Sequence, residues 1–404
     1  MSPRPLRWKL FAVLGALALL AVGCGGGEDD AGTGGGTSAP GAASGETVTI
    51  AFMGALTGDS ANLGINIRDG VKLAVEDANA TGEGPTIALE EFDTAGDPAQ
   101  AGTVKDQVIA DDDVIGVVGP AFSGETKAVI PAFEDAGLAM ISPSATNKDL
   151  PNIIPGGRVF HRVIADDALQ ASGIATYLAQ TVKPKSVAYV HDNTEYGKGL
   201  TDDVARLARE QGVQAATPSP LTLDPEAQDF SATVNGVVSS GADVVFYGGY
   251  YSEAGRFKKQ LTDAGYTGTF VSGDGSLDPG FIAAAGPQFA EGARLTCPCN
   301  LAFPTSENEK LRAFFQQHTE QLGREPGLYS PEGYDAASIL IQGIKAGNTD
   351  RASLLSWLEE EFSTYEGVSK TVEFAENGNV TSRDFFVFEV KDGKLAPLET
   401  VNVG

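Results

Sequence analysis

Two sets of residues, one in each half of the 404-residue chain, have types and spacings that could hold a small charged molecule. The first half carries Gly54-Ala55-Leu56-Thr57-Gly58, Gly119-Pro120-Ala121-Phe122-Ser123-Gly124 and Ser142-Pro143-Ser144-Ala145-Thr146, each just after an apolar β-type run. Hydroxyls and glycines at such places bind a carboxylate without Arg, because the N–H groups and dipole of a following helix favour negative charge. The second half carries His191-Asp192-Asn193-Thr194-Glu195-Tyr196-Gly197, Tyr247-Gly248-Gly249-Tyr250 and Gly273-Asp274-Gly275. Here Asp274 can pair with an ammonium, while Tyr196 and Tyr250 wall an apolar or flat part. Together the two sets suit a zwitterion, and an α-amino acid fits. Plainer roles stay open: Ser123 and Ser144 as helix N-caps, Thr146 and Asp274 as turn formers, the tyrosines as half-buried packing.

The elements that must position these residues follow a repeated pattern. An apolar run at 48–53 precedes helical spacing over 62–79, and strand-like 86–92, 114–118 and 138–142 alternate with helices over 97–111, 124–136 and 166–182. The second half repeats this, with strands at 186–192, 242–249 and 269–273 and helices over 198–211, 229–240 and 253–264. Near-continuous apolar strands between amphipathic helices imply parallel sheets covered on both faces. About 360 residues are long for one such sheet, so two α/β lobes are expected. Towards the end the rhythm changes to helices near 306–322, 333–346 and 351–362, then strands at 371–374 and 385–390. In such folds ligands gather at the carboxyl ends of strands, which is where both sets lie.

Composition narrows the partners. Lys and Arg number 28 against 54 Asp and Glu, a net charge of −26, which argues against nucleic acid or an anionic membrane surface. Three Cys and three His are too few for a disulfide scaffold, and His161, His191 and His318 have no ligand spacing, so no metal or cofactor is expected. There is no GxSxG, HExxH, Walker loop, helix-opening GxGxxG or EF-hand run, and the reading is not an enzyme. Cys297-Pro298-Cys299 leaves two possibilities, a metal or a tight disulfide.

Residues 1–23 read as an export signal: Arg4, Arg7 and Lys9 precede an apolar run of 14 residues, 10–23, too short to span a bilayer. The run ends Ala21-Val22-Gly23-Cys24, which resembles the lipobox of bacterial lipoproteins, with Cys24 as the lipidated residue. Ala21 stands where Leu is preferred, a mild departure. Residues 25–45 hold nine Gly and nothing to bury, a flexible tether spanning about 25 Å. Loss of residues 1–23, with three basic and no acidic residues, takes the charge from −26 to −29, so membrane contact is expected through lipid and not through charge.

From about residue 47 onward the chain resembles the periplasmic leucine/isoleucine/valine-binding protein family, the type I substrate-binding components of ABC importers. The resemblance rests on the order and spacing of MGALTGDSANLG (53–64), IGVVGPAFSG (115–124), MISPSATN (140–147), VAYVHDNTEYGKGL (187–200) and VVFYGGYYSEAG (244–255). It implies the type I periplasmic binding protein fold: two doubly wound parallel-sheet lobes joined by a three-strand hinge. Lobe 1 would take 46–165 plus 299–370 and lobe 2 would take 166–298 plus 371–404. By the same resemblance Ser123 and Thr146 hold a carboxylate with backbone help around Ser144 and Ala145, and Asp274 holds the ammonium. Tyr196, Tyr250 and Tyr329 surround the ligand, and Cys297 and Cys299 fall at a crossover between lobes, where the extracytoplasmic setting favours a disulfide that would stiffen the hinge. The implied protein is a monomeric extracytoplasmic lipoprotein on the outer face of the bacterial cell membrane, passing a branched-chain or similar aliphatic amino acid to a membrane permease. A second reading on the same fold is a sensor of an amide or other small carboxylate that signals to a receptor without import.

Three departures from the family pattern stand out. Leu63 replaces an aromatic in the first-lobe loop, Asp274 is one methylene shorter than the usual Glu, and Gly96 and Phe122 occupy the places of a first-lobe disulfide.

Overall fold

The computed structural model describes residues 47–403, so the signal, Cys24 and the tether all lie outside the described residues. In chain order the elements begin β1 (Thr47–Gly54), α1 (Ala61–Ala80), β2 (Thr86–Asp93), α2 (Pro98–Ala110), β3 (Val114–Val118), α3 (Ser123–Ala136), β4 (Ala139–Ser142) and β5 (Phe160–Arg162). Next come α4 (Asp167–Tyr177), β6 (Val187–His191), α5 (Glu195–Glu210), β7 (Leu221–Thr222), α6 (Ser231–Ser240), β8 (Val244–Gly248), α7 (Tyr251–Asp263) and β9 (Thr269–Ser272). The rest are α8 (Pro279–Ala285), α9 (Pro287–Ala290), β10 (Arg294–Cys297), α10 (Glu309–Leu322), α11 (Ser330–Lys345), α12 (Arg351–Glu360), β11 (Tyr365–Glu366), β12 (Thr371–Val372), β13 (Phe386–Lys391) and β14 (Lys394–Thr400).

β1 to β5 form one sheet in the order β2-β1-β3-β4-β5, all parallel. A second sheet runs β14-β13-β10-β9-β8-β6-β7, parallel from β10 to β7 and antiparallel where β13 and β14 join. β3, β4, β6 and β8 are buried at every residue, the mark of strands covered on both faces. α1 packs on α11, α12 covers β3 and β4, and α2 packs on α3. Beside the second sheet α4 pairs with α5, and α7 with α8. This is the type I periplasmic binding protein fold.

The chain passes between the two sheet bodies three times: between β5 and α4, between β10 and α10, and between β12 and β13. Cys297 and Cys299 lie at the second passage, bonded, with Cα atoms 4.9 Å apart. The helix expected over 166–182 is α-helical to Tyr177 and closes on a π turn, Leu178–Val182. Several short or edge elements lacked a pattern to announce them, among them β5, β10 and β14. β5 has three residues, β10 has four, and β14 is an edge strand whose side chains are mostly exposed.

Candidate functional site

The carboxyl ends of β3, β4, β6, β8 and β9 converge on one narrow cavity. In both sheets the strand order reverses beside these ends, the place where ligands collect in open α/β sheets. Leu63, Ala121, Phe122, Ser123, Ser144, Thr146, Tyr196, Tyr250, Asp274, Gly275 and Tyr329 line it. Every residue named from the sequence as ligand-facing is therefore at the cavity except Ala145.

The hydroxyl wall is built on the turns after β3 and β4. Gly119 has φ +117°, and a Cβ there would sit 2.1 Å from the Met53 carbonyl oxygen, so only glycine lets β3 turn this tightly beside β1. Ser123 then opens α3; its Oγ accepts the Asn147 N–H at 3.1 Å, which leaves the hydroxyl proton free to donate. Ser144 Oγ donates to the Ala121 carbonyl at 2.6 Å and keeps its lone pairs. Ala145 is buried behind this wall. Its N–H donates to Ser142 Oγ at 3.0 Å and its carbonyl accepts Arg162 Nη1 at 3.0 Å, so its backbone serves the loop and not the cavity.

Arg162, at the end of β5, is fully buried and also donates to the Asn147 carbonyl (2.9 Å) and Asn379 Oδ1 (2.8 Å). Burial lowers its pKa to about 10, which still leaves it charged at neutral pH. A lone Arg after a three-residue strand carries no sequence signal for this clamp. Glu125 secures the start of α3 from within, its Oε2 accepting the Phe122 N–H at 3.1 Å. Burial pushes this carboxyl up to about 7, against the hydrogen bonds from Thr94 and Phe122.

Opposite stands the acid. Asp274 Oδ1 accepts the Tyr196 hydroxyl at 2.6 Å, the Gly275 N–H at 3.0 Å and Gln170 Nε2 at 3.1 Å. Burial raises its pKa, while Tyr196, Tyr329, Gln170 and Gly275 oppose the rise by stabilising the charge. Asp274 Oδ2 is buried and makes no hydrogen bond of normal geometry, although Tyr329 lies close enough to stabilise the charge. The hydroxyls of Tyr196, Tyr250 and Tyr329 are pushed well up by burial first, and after it by the Asp274 charge for Tyr196 and Tyr329 and by the Asp192 charge for Tyr250, so they remain donors.

Aromatic rings make the rest of the wall. Phe122 meets Tyr250 edge-on at 4.9 Å, and Tyr196 lies 5.3 Å from Tyr250. Gly275 permits this: a Cβ there would lie 2.8 Å from both Tyr196 Cε1 and the Gly249 carbonyl oxygen. The Tyr250 N–H donates to Glu253 Oε1 at 2.6 Å, and that buried carboxyl is raised to about 8, by desolvation first and by Asp192 second. Phe122 also packs towards Gly96, so apolar contact occupies the place where the family pattern has a disulfide. Contacts between the two sheet bodies ring the cavity. Asn62 Nδ2 donates to Asp278 Oδ1 at 2.9 Å, Lys127 pairs with Glu195 at 2.7 Å, and Asn147 Nδ2 donates to the Glu195 carbonyl at 2.9 Å.

Comparison with known proteins agrees with this fold. Residues 47–394 match the family described as periplasmic binding protein. Leu/Ile/Val-binding protein homolog 3 of Brucella melitensis is 30% identical over 355 residues, covering 87% of this chain and 94% of its own length. The leucine-, isoleucine-, valine-, threonine-, and alanine-binding protein of Pseudomonas aeruginosa is 30% identical over 347 residues, 85% of this chain and 90% of that protein. Among solved structures, the Streptococcus pneumoniae branched-chain amino acid transporter substrate binding protein in complex with isoleucine superposes with a TM-score of 0.79 at 25% identity. The match covers 88% of this chain and 99% of that one. A family match across most of the chain, relatives at this identity and a shared two-sheet architecture lead to one conclusion: the chain belongs to the periplasmic binding protein family.

Proposed function

We propose that the protein binds an α-amino acid, branched-chain or similarly aliphatic, in the cavity between its two sheet bodies. The reading rests on one observation: Asp274, with a buried free oxygen, lies across the cavity from Ser123 at the N-terminus of α3. The ammonium goes to Asp274, the carboxylate to Ser123 and the first N–H groups of α3. The side chain goes among Leu63, Ala121, Phe122 and Tyr250. The names of the relatives, which are leucine-, isoleucine- and valine-binding proteins, support the same class.

In this reading 46–165 plus 299–370 form one lobe and 166–298 plus 371–404 the other. A ligand that touches both lobes stabilises their closed arrangement, which a membrane permease of an ABC importer then receives. The chain acts outside the cytoplasm as a monomer tethered through lipid on Cys24. The test is thermal unfolding with leucine, isoleucine, valine, other amino acids, amides and aromatic acids, in which bound ligands raise the midpoint by linkage. Stabilisation by aliphatic amino acids is expected; stabilisation only by compounds lacking an ammonium would refute the assignment. Loss of incorporated fatty acid in Cys24→Ser would check the anchor.

A further inference from the structure

Behind the acid wall stands a second carboxylate. Asp167 opens α4, is buried, and does not line the cavity. One side-chain amide joins it to the ligand-facing acid: Gln170 Nε2 lies 3.0 Å from Asp167 Oδ1 and 3.1 Å from Asp274 Oδ1. The amide's oxygen is used too, accepting the Asp274 N–H at 3.1 Å, so Gln170 holds the ligand-facing acid by both backbone and side chain. The remaining oxygens, Asp167 Oδ2 and Asp274 Oδ2, are both buried without a hydrogen bond of normal geometry, although the hydroxyls of Thr146 and Tyr329 lie close enough to stabilise charge on Asp167 and Asp274 respectively. Asp167 is tied to the opposite wall as well, its N–H donating to the Thr146 carbonyl at 2.8 Å.

The charged and titratable groups facing this pair are Arg162 from β5, Asp166 before α4, Tyr196 from α5, Tyr250 before α7 and Tyr329 before α11. Arg162 is the one cation in that set, and its guanidinium also serves Asp166, Asn379 and two loop carbonyls. Two buried carboxylates within reach of one donor resist double ionisation, because each charge disfavours the other, and they titrate as a unit. An ammonium placed on Asp274 would supply the positive charge that a proton otherwise supplies.

Resting on the amino-acid reading above, we infer that Asp167 and Asp274 act as a coupled pair that gives up one proton when the ligand's ammonium binds. Asp167 is a positioning residue in this scheme. It sets the charge and placement of Asp274 through Gln170 without touching the ligand. The balance is simple: the ammonium enters with its N–H bonds intact, one carboxyl O–H of the pair breaks, and its proton leaves to solvent. The pair then carries two negative charges against the ligand's one positive charge, the same net charge as the singly protonated pair. Neutral isosteres of the ammonium would not displace the proton, so the device favours ammonium ligands.

Calorimetric titration of the full chain with L-leucine, repeated in buffers of different ionisation heat near neutral pH, reads the proton directly. About one proton released per leucine is expected, with apparent affinity rising about tenfold per pH unit below the pair's upper titration. Asp167→Asn should bind leucine with no proton released and a flat pH profile, and Asp167→Glu should restore release. Leucine bound by the native chain without proton release overturns the inference alone, as does equal release from Asp167→Asn. Should Asp167→Asn not fold, the native measurement still decides. No leucine binding at all overturns the amino-acid reading, and the inference with it.

Discussion

Asp274 carries the largest share of the predicted chemistry, and its setting explains why. Tyr196, Gly275 and Gln170 all donate to one of its oxygens and leave the other for a ligand. Removing the charge of a buried, hydrogen-bonded pair typically costs about 2–5 kcal/mol, more than about thirtyfold in affinity. Asp274→Asn is therefore expected to lose leucine binding by at least that factor with an unchanged circular dichroism spectrum; equal calorimetric affinity would count against the zwitterion site. Phe122 belongs to the same scale. Its edge-on contact with Tyr250 narrows the apolar end, so Phe122→Ala should shift preference from leucine towards phenylalanine in competition binding, at a stability cost of roughly 3–5 kcal/mol as for other buried Phe truncations. The functional residues at the cavity were legible because hydroxyls, glycines, aromatics and one acid fell at strand ends. Gln170, Asp167 and Arg162 were not, since they act on other residues from mid-helix, helix-start and edge-strand positions that look ordinary in a sequence.

At the scale of elements, the site is a set of helix starts held by internal acids. Glu125 grips the start of α3 and Glu253 the start of α7, where its Oε1 also accepts the Tyr247 hydroxyl at 3.2 Å. Both carboxyls are raised by burial, Glu125 to about 7 and Glu253 to about 8. A carboxyl raised on folding binds more protons in the native chain than in the unfolded one, so stability falls as pH rises towards the folded value. The histidines have opposite leverage, since burial lowers His161 to about 4, but that effect is spent once pH passes the ordinary histidine range. Between about pH 6.5 and 8 the melting temperature should therefore decline, by up to about 1.4 kcal/mol of stability per pH unit for each carboxyl still titrating. Glu253→Gln keeps an acceptor for the Tyr250 N–H and should flatten that decline. An unchanged slope in the variant would mean that other groups set it. Strand and helix alternation was readable because buried parallel strands are apolar throughout. β5, β10 and β14 escaped because short or edge strands take their conformation from neighbours and not from local pattern.

For the whole molecule, the contacts that matter lie between sheet bodies and away from the ligand-facing groups. Asn62 reaches Asp278, and its N–H also donates to the Tyr251 hydroxyl at 3.3 Å; neither Asn62 nor Asp278 lines the cavity. Under the proposed closure such bonds would bias the closed arrangement, and any loss there would lower apparent affinity by shifting the population that can bind. Asn62→Ala removes a side-chain bond worth about 1 kcal/mol and should weaken leucine roughly fivefold. The effect should fall on the association or dissociation rate in stopped-flow fluorescence while the relative preference for leucine, isoleucine and valine stays the same. A changed preference would place Asn62 in direct contact with the ligand. The disulfide between Cys297 and Cys299 sits at one of the three passages, so it belongs to this scale and not to the chemistry of the cavity.

The order of apolar strands and amphipathic helices determined the α/β class and the two-lobe count, because covering a parallel sheet on both faces leaves a strong local signature, while the family was legible only through motifs such as 115–124 and 187–200. Strand-to-helix turns pointed to six of the cavity's eleven lining residues, since such turns must supply hydroxyls, glycines and a counter-charge if they are to hold a zwitterion, and the family resemblance added Tyr329. Only the tertiary structure decided the rest. It turned Ala145 away from the cavity, set Phe122 against Tyr250, and joined Asp167 to Asp274 through the Gln170 amide, which is 3 residues from the first and 104 from the second in the chain. Those relations depend on how two separately formed sheets face each other, a distance in space that no residue's neighbours in sequence record.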